Sequence, residues 1–539
     1  MELGKYSKIE WDVVVVGTGM GGSVCGHELA KCGKKVLFLE IGPYTNLSKK
    51  KTLSKIQNVV KDGYWPKKIK GTTTFGKLDI YPTMGHGVGG STLLYAAQLE
   101  RFHISDFKPK KFHKGQNNLP LSWPISYDDL SPFYKKAEIL LNVCGGNDKY
   151  QPEEFQKHLM GRELTSADKK YLDYVNECNV DAYISHFIED KNNSCRGCGG
   201  MICPSSCKRD LKSICIDPAI EQYGASILAN AEVLSINMDG HIAKSVNVKI
   251  NNENIVIDFK VIILAAGALF TPKILLNTKS KEFKNGLGNN NDLVGRNLMW
   301  HSSDFFVLRT KRFKPIIPDN TKLLSCNKFY EYKGTKLGTF QSGGSKIKAG
   351  QVKSFLLKNS MVNPIFFIFK FGPLVNLAAS IFEYIGSTFE VFSTVIEDLP
   401  YKENRVYLDD SSDSGISFNY SYSNELRLRS NILKKLIRVS FKKNFWVFFL
   451  TGKNNLNWGH PSGTCRFGKN SAESVIDSNN CIHDVKNVYV TDSSFFPSSG
   501  GTNPSLTIAA NSIRVSKIIN NSLDNLDTTA REKTISSHY

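Results

Sequence analysis

Four consecutive valines, Val13 to Val16, lead directly into Gly17-Thr18-Gly19-Met20-Gly21-Gly22. A β-branched run that is apolar at every position reads as a strand buried on both faces. The glycines then satisfy G-x-G-x-x-G where such a strand turns into a helix, expected over Gly19 to Cys32. Gly17 permits the tight turn, Gly19 lets backbone amides approach a pyrophosphate, and Gly22 lets helix pack on strand. The helix N-terminus attracts the negative charge. Lys35 to Leu39 reads as the next parallel strand, and Glu40 stands at its end, roughly 20 residues beyond the glycines. There its carboxylate can accept both ribose hydroxyls of an adenosine.

Two later runs end in the same manner. Val261 to Leu264 runs into Ala265-Ala266-Gly267-Ala268, with a helix expected from Pro272 to Asn277, and Val488 to Thr491 runs into Asp492. Ligands of open α/β sheets sit at the carboxyl ends of the strands, so Ala266, Gly267 and Asp492 should meet the first glycine turn around one ligand. A second cluster, Gly85-His86-Gly87-Val88-Gly89-Gly90-Ser91-Thr92, is too dense in glycine for a regular element. Backbone held against something flat or anionic explains it, and a second contact with the same nucleotide is the economical choice.

At 539 residues the chain should form two or three domains of roughly 150 residues each. The fold class expected is α/β, with a Rossmann-like β-α-β unit interleaved with an α+β domain that contains an antiparallel sheet. Residues 9–130, 215–300 and 455–523 are assigned to the nucleotide-binding domain. Residues 131–214 form a connecting segment with a cysteine-rich loop, and 301–454 a substrate-binding domain. Strand candidates there are Phe305 to Leu308 and Glu390 to Phe392, followed by a helix near Glu425 to Lys443. Residues 524–539 read as a polar, irregular tail.

A formal charge of +19 argues for an anionic partner. The lysines are scattered and no nucleic-acid motif is present, so a solvated basic surface is the plainer account and no nucleic acid is expected. Contact with a membrane surface stays open. Met1 to Glu10 is polar and carries no signal-peptide pattern, which points to the cytoplasm. The apolar stretch Pro364 to Phe382 is interrupted by Lys370, Gly372 and Pro373 and falls short of the roughly 18–20 residues of a membrane span. It reads as a buried element or an interfacial patch.

The cluster at 85 to 92 with Leu93-Leu94-Tyr95, the stretch Trp123-Pro124-Ile125-Ser126-Tyr127-Asp128-Asp129-Leu130 and Leu264 to Ala268 resemble the glucose-methanol-choline (GMC) oxidoreductase family. So do Gly295-Arg296-Asn297-Leu298-Met299, His460-Pro461-Ser462-Gly463-Thr464-Cys465 and Thr502-Asn503-Pro504, all in family order from about residue 11 to 520. The substrate block carries no recognisable signature. The resemblance implies FAD bound in extended form. Its contacts are expected at Gly17, Gly19, Gly22, Glu40, Gly85, Gly87, Gly89, Gly90, Ser91, Val233, Ala266, Gly267, Asp492, Asn503 and Pro504.

His460 falls where the family has its active-site histidine, and Asn503 where members carry a second histidine or an asparagine. Imidazole titrates near neutrality and can take the proton of a substrate hydroxyl, which frees the carbinol carbon to deliver hydride to flavin N5. Asn503 can hydrogen-bond the same oxygen. The activity implied is oxidation of a CH–OH group in an alcohol or sugar-like substrate, with oxygen, a quinone or a protein carrier as electron acceptor. Two rivals stay open on sequence alone, a lyase-type reaction on the same flavin and a non-catalytic binding protein of the same fold. His86 has a weaker claim as a neighbour in its glycine loop.

Twelve cysteines suggest thiols or metal ligands rather than a disulfide framework. Cys195, Cys198, Cys203 and Cys207 follow C-x2-C-x4-C-x3-C, whereas the ferredoxin pattern has two residues between its second and third cysteines. An iron–sulfur cluster, a zinc ion, reduced thiols and a redox-labile pair are the alternatives. Analysis of anaerobically prepared protein separates them. Iron with acid-labile sulfide marks a cluster, zinc alone a tetrahedral site, and alkylation without metal release marks thiols.

Overall fold

The valine run forms β1 (Trp11–Val16), the glycine turn opens α1 (Met20–Lys31), and β2 (Val36–Glu40) follows. Side chains alternate across a strand, and both faces of β1 are covered. Val13 and Val15 pack with Cys25 and Leu29 of α1, while Val14 and Val16 join Leu37 and Leu39 in the largest core. Period-2 alternation is therefore absent from the sequence here. The structure is a computed structural model that describes residues 4–44, 63–113, 119–152, 163–188, 202, 208–344, 373, 375–377, 380, 383, 386–450 and 455–536. Cys195, Cys198, Cys203 and Cys207 lie outside these residues, as does most of Pro364 to Phe382.

β3 (Ser226–Ala229) lies parallel to β2 at the edge of the first sheet. β4 (Ala231–Asp239), β5 (Ile242–Ile250) and β6 (Glu253–Leu264) form an antiparallel meander. The sheet order is β3-β2-β1-β6-β5-β4. The first half of β6 pairs with β5, and its last residues run parallel to β1, with Val16 opposite Leu264. α2 (Thr271–Asn277) follows directly.

A second, six-stranded antiparallel sheet contains β7 (Phe305–Thr310), β8 (Leu324–Cys326), β9 (Gly338–Ser342), β10 (Glu390–Ile396) and β11 (Phe445–Phe449). Its sixth strand is Tyr183–Ile184, from the segment expected only to connect. The expected helix spans Asn424–Phe441. A further small sheet pairs Ile416–Tyr420 with Ile69–Thr73 in parallel, so residues near 70 sit with those near 420. The chain then returns to the first sheet with β12 (Val488–Val490), parallel to β6.

α3 (Ser505–Ser536) packs on α1 and on the helix Tyr127–Leu141. The irregular tail expected from Asp524 is corrected here, because α3 continues through it to Ser536. Neither glycine nor proline interrupts the chain after Pro504, so nothing local stops the helix. Leu523 is buried, and Asp524 pairs with Lys34. No helix among the described residues is long and apolar enough to cross a membrane.

A buried ionic cluster joins the two sheets' territories. Lys336 is 0% exposed and pairs with Asp106 and with Glu397, the latter at 3.1 Å. His113 Nε2 lies 2.9 Å from Glu397, and Tyr330 donates its hydroxyl to Asp106 at 2.7 Å. Removing one member of such a cluster strands the others without water. Lys336→Met should therefore lower stability by about 3–5 kcal/mol, measured by denaturant unfolding.

Candidate active site

Register brings the strand ends level. Val16 faces both Leu39 and Leu264, Leu264 faces Val490, and Glu40 faces Ala229. The residues that follow each strand thus form one rim, at the carboxyl edge where such sheets hold ligands. A cavity of about 490 Å³ opens there. Gly17, Gly19, Glu40, Gly85, Gly90, Ser91, Val233, Ala266, Gly267, Asp492, Asn503 and Pro504 line it, as does His460.

Gly22, Gly87 and Gly89 do not line the cavity, and each has another task. A Cβ on Gly22 would stand 2.0 Å from Gly17 O, so helix and turn touch through bare backbone. The Gly87 amide donates to Glu40 Oε1 at 3.1 Å, and the Gly89 amide to Thr18 Oγ1 at 3.1 Å. Both are in the left-handed region, with φ of +102° and +106°, where glycine is at ease.

Glu40 is buried, and its carboxylate collects four donors: Thr18 N at 2.9 Å, Thr18 Oγ1 at 2.7 Å, Gly42 N at 3.0 Å and Gly87 N at 3.1 Å. Burial pushes its carboxyl above the usual range, and these bonds act against that rise. The side chain expected to face ribose hydroxyls therefore also joins the two glycine loops. A carboxylate has about four acceptor sites, so a ribose hydroxyl reaches Glu40 by replacing a donor. The rotatable Thr18 hydroxyl is the one best able to turn away.

Asp492 acts similarly at the far side of the rim. It accepts from Gly267 N at 2.9 Å, Thr271 Oγ1 at 2.5 Å and Ser494 N at 2.8 Å, which ties the loop after β6 to the turn after β12. The Val233 hairpin is anchored where Asn230 N donates to Gly42 O at 3.0 Å.

The residues present suit a bound dinucleotide. α1 begins at Gly19 with no side-chain cap, so its first amides are free to bind an anion. Around Gly19 a Cβ would meet nothing within 4 Å, whereas one on Gly90 would come within 2.6 Å of Gly19 Cα. The cradle is thus bare backbone from both glycine loops. Gln98 lines the cavity, and its buried Nε2 has no hydrogen-bond partner among the described residues. His86 also lines it, edge-on to Phe270 at 5.6 Å, and burial lowers its imidazole to about 4.

His460 and Asn503 enter from the C-terminal segment. His460 Nδ1 lies 2.9 Å from His301 Nδ1 and 3.2 Å from Asn457 Nδ2, and no described residue bonds its Nε2. Burial and the neighbouring His301 hold its pKa well below the usual imidazole range, so the ring is neutral. Asn503 forms an amide pair with Gln341 of β9, donating from Nδ2 to Gln341 Oε1 at 2.7 Å.

The segment carrying Asn503 is pinned on several sides. Trp123 Nε1 donates to Ser498 Oγ at 2.8 Å, Gly501 N to Tyr330 OH at 2.8 Å, and Thr339 N to Gly501 O at 3.0 Å. Four contributors were missed from sequence. Thr18 lies within the glycine motif and His301 two residues beyond Gly295 to Met299, so each was within sight. Gln98 and Gln341 have no local signal at all.

The family profile described as GMC oxidoreductase matches residues 12–303, and its C-terminal counterpart matches residues 400–512. The 6'''-hydroxyparomomycin C oxidase of Streptomyces lividus is 24% identical, with 94% of this chain and 91% of that protein aligned. The 2-methyl-1,2-propanediol dehydrogenase of Mycolicibacterium austroafricanum is 25% identical over 94% of this chain and 95% of its own. Among solved structures, pyridoxine 4-oxidase from Mesorbium loti superposes with a TM-score of 0.63 at 15% identity, covering 94% of this chain and 99% of the other.

The Glu40 geometry yields a direct test. Glutamine in its place has the same shape, but its NH2 group would face amides that can only donate. At least one buried donor then loses its acceptor, at a cost of about 1–3 kcal/mol. Glu40→Gln should therefore unfold more readily than the wild type when both are compared free of cofactor in a denaturant titration.

Proposed function

The chain belongs to the GMC oxidoreductase family, and from that membership we propose that it is an FAD-dependent enzyme that oxidises a CH–OH group of an alcohol or sugar-like substrate. One observation carries the reading: His460 and Asn503 line the same cavity as the two glycine loops, and each is held by a buried partner. The relatives named above, an oxidase of a hydroxyparomomycin and a propanediol dehydrogenase, support a hydroxyl-bearing substrate.

FAD, when bound, supplies the two-electron acceptor. The amides at Gly19 and the start of α1 bind its diphosphate, and Glu40 addresses the adenosine ribose. The polar work on the substrate belongs to two side chains. Neutral His460 takes the hydroxyl proton on Nε2, the nitrogen without a partner among the described residues. Asn503 donates to the same oxygen from the hydrogen that Gln341 does not use, and the amide pair fixes its direction. A neutral imidazole and a held amide lining one cavity support proton abstraction over mere binding.

Two outcomes follow. His460→Ala should retain FAD while slowing flavin reduction by a substrate alcohol about 10²–10⁴-fold, and Asn503→Ala should cost less. Because the pKa of His460 is lowered, its base form persists as pH falls. Wild-type flavin reduction should then hold its rate through pH 6.5, where a free imidazole would already be half protonated. Anaerobic stopped-flow over a panel of alcohols, repeated with oxygen and with a dye acceptor, measures both. Reduction of the His460→Ala protein at the wild-type rate would remove the base assignment.

A further inference from the structure

We propose that His301 sets the tautomer of His460, keeping the proton on His460 Nδ1 and leaving Nε2 bare. The inference rests on the reading of His460 as the base. It begins at the buried end of the pair, where His301 Nε2 lies 3.1 Å from both Ser499 O and Gly500 O. Carbonyl oxygens only accept, so this nitrogen carries a hydrogen.

His301 is 1% exposed. Burial takes its imidazole down to about 4 against the smaller opposing influence of the two carbonyls and Glu397, so the ring is neutral. A neutral imidazole with its proton on Nε2 has a bare Nδ1. That Nδ1 faces His460 Nδ1 at 2.9 Å, with the rings at 87°. Two lone pairs do not sit at hydrogen-bond distance. The proton between them therefore belongs to His460 Nδ1, and its Nε2 is left as the acceptor.

Asn457 pulls the other way. Its Oδ1 accepts from Gly459 N at 3.0 Å, which turns Nδ2 toward His460 Nδ1 at 3.2 Å. By itself this donor would favour a bare Nδ1 and a proton on Nε2, a form that binds a substrate oxygen but takes no proton from it. The two contacts are not equal. Asn457 is half-buried at the cavity, where water can satisfy its amide, whereas a bare His301 Nδ1 has no water to turn to. A polar group left unpaired in the interior is the costlier loss, so His301 decides the tautomer.

The experiment uses ¹⁵N-histidine-labelled protein, in which the tautomer of His460 is read by NMR with no turnover required, beside stopped-flow flavin reduction. Wild type should show Nδ1–H at His460, and Nε2–H there would overturn the proposal whether or not any variant folds. In His301→Leu only Asn457 remains at Nδ1. The proton should move to Nε2, and flavin reduction should slow about 10²-fold or more while substrate Kd stays near the wild-type value.

Adding Asn457→Asp restores an acceptor for Nδ1–H. The double variant should regain the Nδ1–H tautomer and at least about tenfold of the lost rate, a rescue that packing damage at 301 would not give. A double variant no faster than His301→Leu, or an unchanged tautomer in His301→Leu, would sink the idea. A tautomer that shifts as expected with flavin reduction unaffected would uphold the role of His301 and instead remove His460 as the base.

Discussion

Everything at the rim depends on a carboxylate in a place where a carboxylate is costly. Glu40 is buried at the end of β2, and without partners its charge would be expelled by protonation or by unfolding. Four donors oppose this, and they come from three separate backbone turns. The charge thereby becomes the reason those turns are where they are. The second glycine loop is held to the first by the Gly87 and Gly89 amides, which point at Glu40 and Thr18. Close approach matters as much as charge: a Cβ on Gly42 would lie 2.0 Å from Gly87 N.

The opposite wall of the cavity is built by a different device. Residues 498–503 have little regular structure, and buried polar bonds from three distant regions replace the missing ladder. Trp123 reaches them from the N-terminal third, Tyr330 from the turn between β8 and β9, Thr339 from β9 itself, and Asp398 from the loop after β10. Such a loop is as rigid as its partners. This explains why the ionic cluster around Lys336 lies behind it. Tyr330 donates to Asp106 and accepts from Gly501, so the cluster's order is passed to the backbone next to Asn503.

The elements legible in sequence were those whose chemistry is local. β1, α1 and β2 carry their own pattern, as do the glycine loops, and the ends of β6 and β12 are apolar runs capped by small or acidic residues. The first half of β6 was missed because it pairs antiparallel with β5 and buries alternate residues, and its one apolar run, Ile255 to Ile257, is too short to mark a strand. The placement of Tyr183–Ile184 and of Ile69–Thr73 was illegible for another reason. Their partners lie far along the chain, and a two- or five-residue strand has no signature beyond its pairing. At the site, His460 and Asn503 were legible through family pattern, whereas Gln341 became visible only when β9 brought it against Asn503.

Asp398 shows how much of the chemistry lies behind the residues that touch the cavity. It is fully buried beside His301, and it controls both neighbours of that ring. Its Oδ2 accepts from Trp300 N at 2.9 Å, which fixes the backbone immediately before His301. Its own amide donates to Ser499 Oγ at 2.9 Å, and Ser499 Oγ returns a bond to Asp398 O at 3.0 Å, which fixes the carbonyl segment that His301 Nε2 addresses. Burial lifts its carboxyl to about 7 against the donors from Trp300, Tyr420 and Leu399. A carboxylate of that kind sits close to titration, yet among the described residues it is kept out of contact with His301 and His460 and its hydrogen bonds come from backbone and hydroxyl groups. The separation has a physical purpose. A carboxylate bonded directly to His301 would favour the imidazolium and turn its Nδ1 into a donor, which would move the proton of His460 to the wrong nitrogen. By acting through neutral amides and carbonyls, the fold positions both rings without charging either.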